Sequence, residues 1–170
     1  DTKPYSVHRL DKETSGVMII AKNYNSAKLL TSLFRLKKIH KTYLAICHGI
    51  FKNKKGEMRG NLVKYEREKK ITELAITNYN VISSTNFFSF VELKPITGRK
   101  HQLRKQLAFL GNPIVGDSKY NIIKYKNKNE KKLMLHAYKI KFMINNKKFN
   151  FEAEPPNYFN NYLNKKRLII

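Results

Sequence analysis

The chain has 170 residues, 41% of them hydrophobic, with 35 Lys and Arg against 12 Asp and Glu and a formal net charge of +23. That composition fits a single domain over residues 1–170, with apolar content sufficient for a core and too high for a disordered chain. No apolar run approaches the roughly 18 residues of a membrane span, and Asp1-Thr2-Lys3-Pro4 is not a secretory signal.

Without an initiator Met, the chain reads as a fragment whose N-terminus is missing. Its positive excess points to a polyanionic partner, RNA or DNA before an anionic membrane surface. Lys far outnumbers Arg, and Asn and Ile are frequent, as an AT-rich genome would produce. Nucleotide bias alone does not require acids to be this scarce. One cysteine, Cys47, excludes an intramolecular disulfide and fits a reducing cytoplasm. Within Tyr43-Leu44-Ala45-Ile46-Cys47 it reads as a small core residue. His8, His40, His48, His101 and His136 have no zinc-type spacing with Cys or acid, so no metal is expected.

Residues 16–22, apolar through Val17-Met18-Ile19-Ile20-Ala21, read as a strand buried on both faces. Residues 25–37 read as a helix with Ala27, Leu30, Leu33, Phe34 and either Leu36 or Ile39 on one face, capped by Asn25 or Ser26. Residues 41–50 form a strand ending at Gly49. The basic stretch 52–72, with Gly56 and Gly60, reads as a hairpin or a mobile insert. Residues 73–84 and 87–95 pair as a hairpin, stopped by Pro95. A helix runs from 99 to 110 with Leu103, Leu107 and Leu110 as its buried stripe, and Gly111 ends it. Residues 121–132 form a Lys/Asn-rich loop. Residues 133–144 and 147–153 form a last hairpin across Asn145-Asn146, and Pro155-Pro156 starts a helix near 157–166. Strands dominate, so the fold class is α+β.

Two polar clusters interrupt this framework. His8-Arg9-Leu10-Asp11-Lys12-Glu13-Thr14-Ser15-Gly16 sits on a turn feeding an apolar run, where folds place reactive groups. The only aspartates are Asp1, Asp11 and Asp117, and Arg9 and Asp11, two apart, face the same way in an extended segment. On spacing alone this is either a surface turn with an incidental ion pair or a functional cluster. The second cluster, Thr97-Gly98-Arg99-Lys100-His101-Gln102-Leu103-Arg104, opens a helix at its anion-favouring end. It is either a solvated basic face or the source of an arginine reaching inward to Asp11, because a buried carboxylate needs a partner. Spacing does not choose between Arg99 and Arg104. Tyr43 is a core aromatic or a ring that stacks on a base. His136, in Leu133-Met134-Leu135-His136-Ala137, reads as a satisfied core histidine.

In order and spacing these blocks resemble the RluA-type family of RNA pseudouridine synthases. The match runs through His8–Gly16, Lys41-Thr42-Tyr43-Leu44-Ala45, Pro95–Arg104, Leu110–Asp117 to Tyr120, and Leu135-His136-Ala137, covering roughly residues 5–153. The resemblance implies a mixed, mostly antiparallel sheet with flanking helices and an enzyme that isomerises uridine within RNA without metal or organic cofactor. Asp11 matches the catalytic aspartate, Tyr43 the tyrosine that packs on the target base, and Arg104 the arginine that pairs with the aspartate. Leu135 matches an apolar position lining the pocket, and Arg9 the arginine that stabilises RNA once the base is flipped. Arg99 and His101, in the same basic block, are expected on the substrate. RNA is the implied partner, large-subunit ribosomal RNA first and transfer RNA second, bound by a monomer in the cytoplasm.

The chain departs from relatives in lacking an opening Asn-Lys-Pro strand and a preceding S4-like domain, so its sheet is expected to lack an N-terminal edge. It also has Lys105 and Gln106 where relatives often carry an apolar residue and His. Phosphate contacts are expected from Lys52, Lys54, Lys55, Lys69, Lys70 and the 124–132 loop. The alternative function is a non-catalytic RNA-binding module derived from such an enzyme.

Overall fold

The computed structural model describes residues 3–121 and 130–168. The elements in chain order are β1 (Tyr5–Ser6), β2 (Ser15–Gly16), β3 (Ile20–Ala21), α1 (Tyr24–Arg35), β4 (His40–His48), β5 (Lys55–Glu66), β6 (Lys69–Ser84), β7 (Phe88–Pro95), α2 (Gln102–Phe109), β8 (Leu135–Ile144), β9 (Lys147–Glu152) and α3 (Asn157–Lys165). The architecture is α+β. A seven-stranded sheet runs β2-β8-β4-β7-β6-β5, with β9 also paired to β8, and β1 and β3 form a separate two-stranded sheet. Among the described residues, only the β2–β8 pairing in the large sheet is parallel.

Strand β4 lies at the centre, and residues Leu44 through His48 are all buried. One core joins its Leu44 and Ile46 to Val91 and Leu93 of β7, Leu103 and Leu107 of α2, Ile114, Val115 and Phe159 of α3. Cys47 is fully buried within it, and burial pushes its thiol far above the usual range. A second cluster, Ala21, Leu30, Ile39, Ile140 and Phe142, seats α1 and the N-terminal segment on the other end of β8.

The N-terminal strand expected over 16–22 is not one strand. Gly16 pairs with Ala137 of β8, after which the chain leaves the large sheet and Ile20 and Ala21 pair with β1. Burial alternates across the segment: Met18 is 44% and Ile20 52% exposed, whereas Ala21 is buried. A short apolar run does not reveal whether one or both of its faces are covered. Gly16 has φ +117°, and a Cβ there would collide with the Ala137 carbonyl; this is where only glycine lets the chain lie against β8. Val17 N–H then donates to that carbonyl at 2.8 Å.

Helix α1 is capped by Asn23, whose side chain accepts from Ser26 N–H at 2.9 Å, rather than by Asn25 or Ser26. Of Leu36 and Ile39, Ile39 joins the core and Leu36 is exposed. The 52–72 stretch is a hairpin: β5 pairs with β6 from Lys55↔Asn80 to Glu66↔Lys69, turning at Arg67 and Glu68, both with positive φ. Leu110 is 45% exposed and lies outside the α2 stripe, which keeps Leu103 and Leu107; Gly111, φ +88°, ends the helix. The β8–β9 hairpin turns at Asn145-Asn146, both at positive φ. The Lys/Asn-rich loop falls largely on residues 122–129, outside the described residues. Among the described residues, no helix is long and apolar enough to cross a membrane.

Candidate active site

A cleft of about 510 Å³ opens beside β4 and the start of α2, and all seven residues singled out in the sequence line it: Arg9, Asp11, Tyr43, Arg99, His101, Arg104 and Leu135. The loop carrying Arg9 and Asp11 is closed at its base by the β1–β3 pairing and anchored to β8 by Ser15 and Gly16. His8 braces it from inside. Its Nε2 accepts from Ile19 N–H at 2.8 Å, and its ring lies 4.8 Å from that of Phe34. An imidazole that accepts in this way must stay neutral, and burial followed by the Lys41 charge pulls its pKa down to about 4. Asp11 starts a turn, its carbonyl accepting from Thr14 N–H at 2.9 Å.

Tyr43 stands where the β4–β8 register shifts, between Thr42↔Lys139 and Tyr43↔Ala137. Such irregularities re-aim a side chain relative to a regular strand. Burial, then the Asp11 charge, pushes the Tyr43 phenol up to about 12, so it is neutral at ordinary pH. Leu135, first residue of β8, is 3% exposed and pairs with Ala45. Lys41 also lines the cleft, and burial lowers its ammonium below the usual lysine range.

Helix α2 is fixed to the sheet by a buried polar chain that sequence spacing had given no role. Gln102 Oε1 accepts from Thr97 Oγ1 (2.7 Å) and Arg99 N–H (3.0 Å), and its Nε2 donates to Thr77 Oγ1 (2.9 Å) and the Ile76 carbonyl (3.1 Å). Thr77 Oγ1 donates to Gln106 Oε1 at 2.6 Å, and Gln106 Nε2 donates to the carbonyls of Met58 and Ala75. Gln102 thus ties the Thr97–Arg99 turn ahead of α2 to β6, and no side chain caps the helix start. The residue before it, His101, sits in the left-handed region at φ 54°.

Asp11 faces nitrogen on two sides: His101 Nε2 lies 3.6 Å from Oδ1 and Arg104 Nη1 lies 3.8 Å from Oδ2. The expected Asp11–Arg104 pairing is therefore present but long. The intimate partner of Arg104 is Asp117, which accepts from Nε at 2.7 Å and from Nη2 at 2.8 Å. A guanidinium binds a carboxylate bidentately side-on through Nε and Nη2 or end-on through its two Nη atoms, and here the side-on edge is taken by the more buried carboxylate, whose side chain is 1% exposed against 21% for Asp11. Burial alone would raise the Asp117 carboxyl. Hydrogen bonds from Arg104 and from the Tyr120 and Lys119 amides hold it below the usual range, and the same pairing raises Arg104.

Arg99 lines the cleft but is engaged at its rim, donating to Glu73 Oε1 at 3.0 Å and to the Leu74 carbonyl at 3.2 Å. His136 is a satisfied core histidine. Its Nε2–H donates to the Ala153 carbonyl at 2.7 Å, which leaves Nδ1 to accept from Ser15 Oγ at 2.9 Å. No cluster of three metal-ligating side chains occurs among the described residues. Asp117 and Tyr120 were present in the matched blocks without an assigned role. The signal that could have found Asp117 was composition, since it is one of three aspartates in a chain of net charge +23.

The profile of a family described as RNA pseudouridylate synthase matches residues 1–109. The chain belongs to this family. Among curated relatives, a protein of Rickettsia bellii named ribosomal large subunit pseudouridine synthase C is 44% identical over 165 residues, covering 91% of the chain and 54% of the relative. One of Borreliella burgdorferi, named ribosomal large subunit pseudouridine synthase D, is 36% identical over 165 residues, covering 92% and 50%. The chain spans about half the length of the curated relatives it matches. Among solved structures, human RNA pseudouridylate synthase domain containing 4 superposes with a TM-score of 0.82 at 29% identity, covering 96% of the chain and 76% of that protein.

Proposed function

We propose that this domain isomerises uridine in RNA to pseudouridine, with Asp11 as the essential nucleophile or base. The observation that carries the reading is the cleft itself. Segments separated by most of the chain bring one acidic turn, one neutral phenol, one buried leucine and a row of cations to a single opening of about 510 Å³. The reaction is redox-neutral. The C1′–N1 bond breaks, the uracil turns, C1′ bonds to C5, the C5 proton leaves and N1 gains one.

A target inside folded RNA must be extruded, at about a few kcal/mol of unstacking. In this reading Arg9, at the exposed mouth, holds the vacated position, while Tyr43 supplies a neutral ring face and Leu135 a dry wall for the flipped base. His101 and Arg104 face Asp11 without covering it, because both stand beyond hydrogen-bonding distance and leave its oxygens open to substrate. Exposed Lys52, Lys54, Lys55, Lys69 and Lys70 contribute phosphate contacts. The names of the relatives favour large-subunit ribosomal RNA as the source of the target uridine.

The test is carbodiimide mapping of pseudouridine, by primer extension, on unmodified ribosomal RNA incubated with this chain or its Asp11→Ala variant. New stops with the parent alone are expected and would name the site. Equal stops with the variant refute the role of Asp11. Salt-sensitive binding without stops would instead make the chain an RNA-binding module.

A further inference from the structure

Both nitrogen groups facing Asp11 are held from behind by one short turn. Gly116, at φ +76°, packs so closely on the Lys132 carbonyl that a Cβ there would overlap it, and the chain then turns through Asp117 to Tyr120. The turn is fixed by the Asp117 side chain, whose Oδ1 accepts from the amides of Lys119 and Tyr120, both at 2.9 Å. The same carboxylate takes the bidentate edge of Arg104, leaving Nη1 as the nitrogen directed at Asp11. Three residues on, the Tyr120 hydroxyl lies 2.8 Å from His101 Nδ1, and its ring stacks under the Arg104 guanidinium at 5.2 Å. His101 Nε2 is the ring nitrogen facing Asp11.

We propose that Asp117 and Tyr120 are the positioning residues of this site: Asp117 fixes the Arg104 fork, and the Tyr120 hydroxyl donates to His101 Nδ1, so that each group presents an N–H to Asp11. The chemistry favours that direction of the Tyr120 bond. A hydroxyl donating to Nδ1 selects the tautomer protonated at Nε2, and an Nε2–H faces a carboxylate favourably where a lone pair would not. The groups acting on this imidazole are Asp11 on one side and Arg104, Lys119 and Lys100 on the other. Burial and those three cations oppose its protonation, and Asp11 favours it. At neutral pH it serves as a neutral donor. Asp117 has a second consequence: by taking the strong edge of the fork, it keeps Arg104 from closing on Asp11 as a full ion pair.

The inference rests on the proposed activity for its kinetic part and on the free chain for its spectroscopic part. The experiment uses the whole chain labelled with ¹⁵N at His and Arg. Wild type is expected to show the Nε2–H tautomer of His101 at neutral pH and a slowly exchanging Arg104 Nε–H. Tyr120→Phe keeps the half-buried ring and removes one hydrogen bond. It should mix the tautomers of His101 and lower kcat about tenfold, the worth of one neutral hydrogen bond, with KM within about threefold. Asp117→Asn keeps the two amide bonds, speeds exchange at Arg104 Nε–H and lowers kcat about 100-fold, as a misplaced catalytic group does.

Wild-type His101 protonated at Nδ1, or a Tyr120→Phe chain with unchanged tautomer and kcat, overturns the Tyr120 role. Wild-type kcat in a folded Asp117→Asn chain overturns the Asp117 role. If Asp117→Asn does not fold, wild-type Arg104 decides that part, since fast Nε–H exchange would refute the clamp. Should no RNA be modified by wild type, the proposed activity falls, and the tautomer and exchange readings still decide whether the turn aims the two groups.

Discussion

Replacing Arg104 by Met removes a cation from beside a carboxylate that has no access to water. The Asp117 side chain is 1% exposed and loses both short hydrogen bonds from the guanidinium. Breaking one half of a buried ion pair costs about 3–5 kcal/mol. The Lys119 and Tyr120 amides still donate to Asp117, which places the loss at the lower end, about 3 kcal/mol. For a domain of this size that is a fall in Tm of about 6–12 °C. In the parent, the folded carboxyl is held below its unfolded value, so its contribution is present above that unfolded value and is lost as pH falls through the folded one. In the variant the carboxyl loses the Arg104 bonds and keeps only the two amide bonds, so it is held down less firmly than in the parent. The difference between parent and variant is therefore larger at about pH 7 than at about pH 2.5, below the unfolded value. Urea unfolding followed by circular dichroism at the two pH values measures it. A difference below about 1 kcal/mol near neutrality, or one equal at both pH values, would refute the assignment of Asp117 as the partner.

Gly16→Ala introduces a methyl against the Ala137 carbonyl at φ +117°; a loss of more than about 1 kcal/mol in urea unfolding is expected, and an unchanged midpoint would show that the loop anchor is not strained. RNA affinity should fall steeply with salt, as log Kd linear in log salt with a slope reflecting several phosphate contacts. A flat titration from low to physiological salt would mean that the charge of +23 reflects base composition rather than binding.

Much of the fold was legible where periodicity and turn chemistry agreed. The β8–β9 hairpin follows from two alternating runs around Asn145-Asn146, and the end of α2 from Gly111. The segment 17–21 was not legible, because five apolar residues in succession carry no period. Its true pairing depends on β1 and β8, which lie elsewhere in the sequence. Leu110 continued a three-four spacing that the helix itself did not, since the chain turns at Leu110 and Gly111. At the site, every matched block but Leu110–Tyr120 delivered a side chain to the cleft lining, and the ranking of partners was hidden. A carboxylate seeking an arginine can be inferred from Asp11 alone. That a second carboxylate, Asp117, holds the better edge of the same arginine requires knowing depth. The Gln102 and Gln106 ladder was equally invisible, because each glutamine read by itself is a polar residue on an otherwise basic helix.

The sheet order also sets when the cleft can exist during synthesis. Strand β8, made after two thirds of the chain, lies between β2 and β4, both of which are made in the first third. Until Leu135 to Ile144 leave the ribosome, the Asp11 loop lacks its Ser15 and Gly16 anchor, β4 has one bare edge, and Leu135 is absent from the cleft wall. The early basic segments are made before then, without the cleft that β8 completes. Non-local closure of this kind is intrinsically slow. A product truncated ahead of β8 would be a cationic chain with an unpaired central strand, a substrate for chaperones and proteases rather than a weakened enzyme.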